Sequence, residues 1–125
     1  ITKKRYIRPY FSNFNHINGI HACAIATIGE YCAGVCLMQQ FSPELYRLIM
    51  STIQIDYHYQ ARQDILASAE LDDDQVIKIK EALEQNDSVK HTMVVDVHDE
   101  DKNHIATVTT HWQVKPWGNV RLKQF

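Results

Sequence analysis

The sequence predicts an α+β fold in which one long apolar helix is wrapped by a curved, antiparallel β-sheet. Residues 20–40 carry one charged side chain, Glu30, among apolar and small residues. Apolar positions that cover nearly the whole circumference indicate a helix enclosed on most sides. Segments that alternate apolar and polar residues follow with short connections. An antiparallel sheet has one face to bury, and the helix can cover it.

The elements are expected in a definite order along the chain. A short strand ends at Pro9, a polar loop follows, and the helix comes next. Ser42-Pro43-Glu44 is a helix-start signal, expected to open a short turn to about Met50. Period-two patterns predict four further strands, and an amphipathic pattern predicts a second helix between two of them. The polar run 98–103 predicts a hairpin turn between the last two strands. The predicted bounds are strand 4–8, loop 11–19, helix 20–38, strands 53–60, 64–71, 89–98 and 104–115, and second helix 72–86.

Composition narrows the class of protein. The length of 125 residues suits one domain over 1–125, and 13 Lys and Arg against 15 Asp and Glu argue against a nucleic-acid binder. Three cysteines, an odd number, predict buried reduced thiols in a cytoplasmic protein rather than a disulfide framework. The apolar run is long enough to span a membrane, but a carboxylate at its centre would be costly there. We therefore expect no membrane span.

Glu30 is the most informative residue, because a carboxylate in a buried helix must be paired or functional. The first turn of the helix offers unpaired N–H groups that suit an oxyanion. His21 precedes Glu30 by nine residues, which places the two side chains on opposite sides of the helix, about 13 Å apart along it. If both act on one substrate, a second subunit must supply one of them. If both residues are catalytic, their spacing therefore predicts a two-fold dimer with two composite sites.

The run Asn15-His-Ile-Asn-Gly19-Ile-His21-Ala22-Cys23-Ala, followed by Glu30, resembles the motif of hotdog-fold acyl-CoA thioesterases of the phenylacetate-pathway type. In that family an Asn stands six residues before a His, and an acid falls nine residues after it. The resemblance covers nearly the whole chain and is strongest to a branch of unknown function. It also implies that the first strand is clipped at Ile1. Ala22-Cys23 stands where the family has Gly-Gly, and Glu30 where Asp is commoner.

By this resemblance, Glu30 would activate a water or attack the thioester carbonyl directly, and Asn15 would position the water or thioester. The N–H groups of Ala22 and Cys23 would receive the oxyanion, Gly19 would let the backbone turn closely into the helix, and His21 would orient the loop or bond near the carbonyl. The substrate would be an acyl-CoA or acyl-carrier-protein thioester. Coenzyme A would enter only as part of the substrate, with no other cofactor and no metal.

Two interpretations from different classes remain. The first is a cytoplasmic thioesterase that forms a homodimer or a dimer of dimers. The second is a non-catalytic hotdog module that binds acyl thioesters or mediates dimerisation; a dehydratase of the same fold lacks a supporting motif. For Glu30 and His21 individually, a purely structural role stays open. The remaining histidines are expected to be scattered strand and turn residues, and Trp112 a sheet-packing residue that could also line an acyl tunnel.

Overall fold

A long helix lies against one face of a four-stranded antiparallel sheet in the computed structural model, which describes residues 22–121. This arrangement confirms the predicted α+β class. The predicted first strand at 4–8 and the loop at 11–19 lie outside the described residues. The elements are α1 Ala22–Met38, β1 Tyr46–Tyr57, β2 Ile65–Ser68, α2 Asp73–Gln85, β3 Val89–Asp99 and β4 His104–Pro116, followed by a 3₁₀ turn Trp117–Asn119.

The sheet has the strand order β1-β4-β3-β2, and each neighbouring pair is antiparallel. β3 and β4 form the hairpin that the sequence predicted. Its turn is fixed by the Asp99 carboxylate, which accepts hydrogen bonds from the backbone N–H of Asn103 at 2.9 Å and from its side-chain amide at 3.0 Å. Burial alone raises the pKa of Asp99, but these bonds and the nearby His98 outweigh it, and the net pKa is lowered.

The core lies between the inner faces of α1 and the sheet. Side chains on one face of α1 recur every three to four residues. They pack against the inward-pointing side chains of the strands, which recur every two residues. The predicted second helix is confirmed and closes the end of the core through Val76 and Ile79. The largest fully buried side chains include Phe41, Leu37, Ile65, Leu71, Met93, Ile105, Val95, Val97, Val108 and Val114.

The helix-start signal at Ser42 was wrong as a predictor of helix. The Ser42 hydroxyl does accept the N–H of Glu44, and the Ser42 carbonyl accepts the N–H groups of Leu45 and Tyr46. The chain then extends at once into β1, which pairs with β4 through eleven of its twelve residues, with a register shift between Met50 and Thr52. A ladder of that length outweighs the local preference for a helical turn. β1 therefore begins seven residues earlier than its alternating pattern predicted.

The expectation of a helix enclosed on most sides was also wrong. Thr27, Glu30, Tyr31 and Met38 are exposed on α1, because the described part of the sheet covers only the opposite side of the helix. The cysteines of α1 also differ in their exposure. Cys32 and Cys36 are buried as predicted, whereas Cys23 is exposed.

Gly29 sets the distance between α1 and the sheet. A Cβ at this position would lie 2.6–2.8 Å from the Val108 side chain, closer than packed carbons approach. We expect Gly29→Ala to lower the free energy of unfolding by about 1–3 kcal/mol, since overpacking costs more than the helix propensity that alanine adds. Urea titration measures this difference. Val108→Ala should recover stability in the Gly29→Ala chain but lower it in the wild type; equal effects in both would contradict direct contact.

Candidate active site

A hydrogen bond holds the first turn of α1 to the end of β1. The Tyr57 hydroxyl donates to the Ala22 carbonyl at 3.0 Å. Partial burial, and then the nearby Cys23 thiol, raise the pKa of Tyr57, so the phenol stays protonated and remains a donor at neutral pH. Ala22 and Cys23, the predicted oxyanion donors, are both exposed. The Tyr57 hydrogen bond holds the helix turn that contains them. Asn15, Gly19 and His21 lie outside the described residues.

A cavity of about 370 Å³ adjoins this anchored turn. Its lining combines the start of α1 with the segment that leaves β1. A polar group of a ligand could reach the helix start through this opening. The lining residues are Ala22, Ile25, Tyr57, His58, Tyr59, Gln60 and Ala61.

Glu30 projects into solvent from the middle of α1 rather than into the core. This corrects the expectation of a buried carboxylate. Eight residues separate Ala22 from Glu30 along a continuous helix, which corresponds to about 12 Å along its axis. The predicted oxyanion donors and the Glu30 carboxylate of one chain therefore cannot both reach the same carbonyl group.

Glu30 lies toward one end of an apolar groove that the sequence analysis missed. The groove has a volume of about 320 Å³ and is lined by Thr27, Glu30, Tyr31, Gly34, Val35, Met38 and Trp112. Six of these follow one another on α1 at alternating spacings of three residues and one residue, which is one helix face. That spacing was visible in the sequence, but an apolar helix face is ordinarily interpreted as core.

Trp112 forms the floor of the groove because Gly34 has no side chain. A Cβ at Gly34 would lie 3.2 Å from Cη2 of the Trp112 ring. The indole N–H donates to the Thr110 hydroxyl at 2.7 Å, and that hydroxyl donates to the Met93 carbonyl at 3.1 Å. The indole N–H is thus satisfied below the groove, and the carbon edge of the ring is what a ligand would meet.

Three histidines that the sequence suggested were scattered lie together at one end of the sheet. The rings of His58 and His98 lie 4.6 Å and 4.8 Å from the ring of His104, between centroids. His104 also contacts Asp96, with 3.1 Å between Nε2 and Oδ1. His98 and His104 are partners across the β3–β4 hairpin, which a register prediction would have shown. Across residues 22–121, no set of three His, Cys, Asp or Glu side chains is placed to hold a metal ion.

Removing the Tyr57 hydroxyl should loosen the helix start without unfolding the protein. We expect Tyr57→Phe to lower the free energy of unfolding by about 0.5–1.5 kcal/mol, the usual contribution of one hydrogen bond. Amide hydrogen exchange should increase in the first turn of α1 and stay unchanged in β3. Tyr59→Phe, at an exposed tyrosine nearby, is the matched control. Uniform exchange changes along the chain would contradict a local anchoring role.

A curved antiparallel sheet packed against one long helix is the hotdog fold. The family model described as "Domain of unknown function (DUF4442)" matches residues 6–114. The chain belongs to this family. No curated protein matches the sequence.

Solved structures confirm the fold. PA5026 from Pseudomonas aeruginosa, described as a protein of unknown function and probable thioesterase, has a TM-score of 0.82 at 20% identity, over 93% of this chain and 80% of that one. The thioesterase enzyme SAV0944 from Staphylococcus aureus has 0.69 at 12%, over 88% and 82%. BH2602 from Bacillus halodurans, crystallised with CoA, has 0.67 at 16%, over 86% and 68%.

In the portion of the chain that is described, no helix is both long and apolar enough to cross a membrane.

Proposed function

We propose that this protein hydrolyses an acyl thioester by means of a water molecule that Glu30 activates. The observation that carries the proposal is an exposed carboxylate toward one end of an apolar groove on the hotdog helix. A thioester has the matching form, with one polar reacting group joined to an acyl chain. Solved structures of the same fold described as thioesterases, and one that contains CoA, support this substrate class.

In the proposed reaction, Glu30 takes a proton from water as the water oxygen bonds to the thioester carbonyl carbon. The N–H groups of Ala22 and Cys23 receive the negative charge on the carbonyl oxygen. When the intermediate collapses, the carbon–sulfur bond breaks and Glu30 returns its proton to the thiolate. Asn15 positions the water or thioester, and His21 orients the loop that Gly19 allows to turn. Apart from coenzyme A in the substrate, the reaction needs no cofactor or metal.

The site requires two subunits, because about 12 Å of helix separates Ala22 from Glu30. β1 supports this requirement: within residues 22–121 it pairs on one side only, with β4, and it exposes Ile49, Ile53 and Tyr57. A long apolar edge strand is normally covered in a stable protein. We therefore propose that two copies pair through β1 as a homodimer, either alone or within a dimer of dimers.

The two-fold symmetry of such a dimer places a geometric condition on the site. If the two α1 helices run antiparallel, an axis that crosses them near Ala26 brings Glu30 level with the partner's Ala22. Each dimer then has two equivalent sites, each with its carboxylate from one chain and its N–H donors from the other.

A non-catalytic module is the second candidate. The groove and the cavity beside the helix start could bind an acyl thioester, and β1 could mediate dimerisation, without any turnover. Both candidates fit a cytoplasmic protein whose partner is an acyl-CoA or an acyl-carrier protein. They differ only in what Glu30 does.

The deciding experiment measures thiol release from acyl-CoAs of short, long and aromatic acyl groups, for wild type and Glu30→Gln side by side. Acyl-carrier-protein thioesters form a second set of substrates. Turnover that Glu30→Gln abolishes supports the hydrolase. Absence of turnover on both sets, with retained binding of a non-hydrolysable acyl-CoA, would favour the binding module.

A further inference from the structure

The groove beside Glu30 is polar at one end and apolar along the rest. Thr27 and Glu30 lie toward the start of α1, and the Thr27 hydroxyl is used in a bond to the Cys23 carbonyl at 3.0 Å. From there toward the end of α1, the lining consists of an aromatic ring, a glycine and aliphatic side chains above the indole of Trp112. A ligand that fits this distribution has one polar reacting group followed by an unbranched hydrocarbon chain.

The groove also has a defined length. Eight residues separate Glu30 from Met38, about 12 Å along the helix. Directly after Met38 come Gln39 and Gln40, and the exposed amide of Gln39 ends the apolar run. The volume of about 320 Å³ is at the lower end of the range of about 300–1,000 Å³ for small-molecule pockets. This space suits a single chain rather than a fused ring system.

From these dimensions we infer that the groove binds the acyl chain of a medium-length, straight-chain thioester, with the carbonyl group at Glu30 and the methyl end at Met38. This inference rests on the proposed hydrolase function and names its substrate class. A distance of about 12 Å accommodates roughly eight to ten carbons in extended form. Met38 determines the length, and Gly34 keeps the Trp112 floor accessible.

A second copy of the chain is the competing occupant, since apolar helix faces also pack against one another. The charge on Glu30 argues against a fully packed protein interface here, because burying a carboxylate without a partner is costly. A partner chain that pairs through β1 would instead cover the open side of the groove, so that the groove becomes a channel. The chain would then be enclosed, while the carboxylate stays beside the reacting carbonyl.

The test compares straight-chain acyl-CoAs of two to sixteen carbons on wild type, Met38→Trp and Met38→Ala. Wild type should prefer eight to ten carbons. Met38→Trp should lose roughly tenfold in kcat/KM on the ten-carbon substrate, about the effect of two buried methylenes, with the four-carbon substrate unchanged. Met38→Ala should move the optimum to longer chains. Ile77→Trp, at an exposed position on α2, is the matched control.

A binding measurement separates this inference from the proposed function. The protein has two tryptophans, so in Trp117→Phe the emission reports on Trp112 alone. Decanoate should shift that emission and butyrate should not. Turnover with the same chain-length optimum in all variants would overturn the groove assignment and leave the hydrolase intact. Absence of turnover on acyl-CoAs and acyl-carrier-protein thioesters alike would reject the hydrolase; a decanoate-dependent shift would then still support an acyl site, and no shift would reject that site.

Discussion

Glu30→Gln should lower kcat by about 10²–10⁴-fold on the preferred acyl-CoA, the usual contribution of a general base. The amide has nearly the same shape as the carboxylate but cannot take a proton from water. Because Glu30 is exposed on α1, the substitution should leave the fold and the dimer unchanged. Thiol release under saturating substrate measures kcat, and circular dichroism with light scattering checks the structure. KM should change little.

Two further variants make this result specific. Glu30→Asp keeps the carboxylate but withdraws it by one methylene, so it should retain more activity than Glu30→Gln. Glu84→Gln removes a carboxylate at an exposed position on α2 and should have no effect. Equal losses in Glu30→Gln and Glu30→Asp would point to packing rather than proton transfer. Full activity in the Glu30→Gln variant would eliminate Glu30 as the general base.

The sequence predicted an element well wherever its hydrophobic pattern fits only one type of secondary structure. The second helix was predicted from its apolar stripe, and the structure adds a capping box in which the Gln75 N–H donates to the Asp72 carboxylate at 2.8 Å. The hairpin between β3 and β4 was marked by polar residues between two alternating runs. The start of β1 could not be predicted locally, because its pairing partner β4 lies about sixty residues later.

The sequence singled out Glu30 as a candidate residue but did not predict its environment. An apolar helix with one acid predicts burial from all sides, and only the three-dimensional arrangement shows that one side of α1 is uncovered. Glu30 is therefore exposed in one chain, and the groove over Trp112 exists because Gly34 lies directly above the indole. Helix spacing alone, by contrast, already separated the carboxylate from the helix start. The inference of a second subunit follows from that spacing both in the sequence and in the structure.

Mixing two inactive variants should restore activity if each site is shared between subunits. If Asn15 acts beside the Ala22 and Cys23 donors of its own chain, then in a mixed dimer of Asn15→Ala and Glu30→Gln chains one site carries both substitutions and the other carries neither. Random pairing after co-expression gives half mixed dimers, each with one intact site. The mixture should therefore reach about a quarter of wild-type turnover, although each variant alone is nearly inactive. This recovery is well above the residual activity expected of either variant.

The same experiment excludes a site within one chain, since every site of a mixed dimer would then lack one of its two groups. Recovery should depend on subunit exchange, so separately purified variants should regain activity only after dissociation and reassociation. Ile53→Lys in both chains should abolish the recovery, because Ile53 lies on the exposed edge strand through which the subunits are proposed to pair. Activity that stays at the level of the single variants, with mixed dimers demonstrated by mass spectrometry, would contradict the composite site and would require Glu30 to act with groups of its own chain.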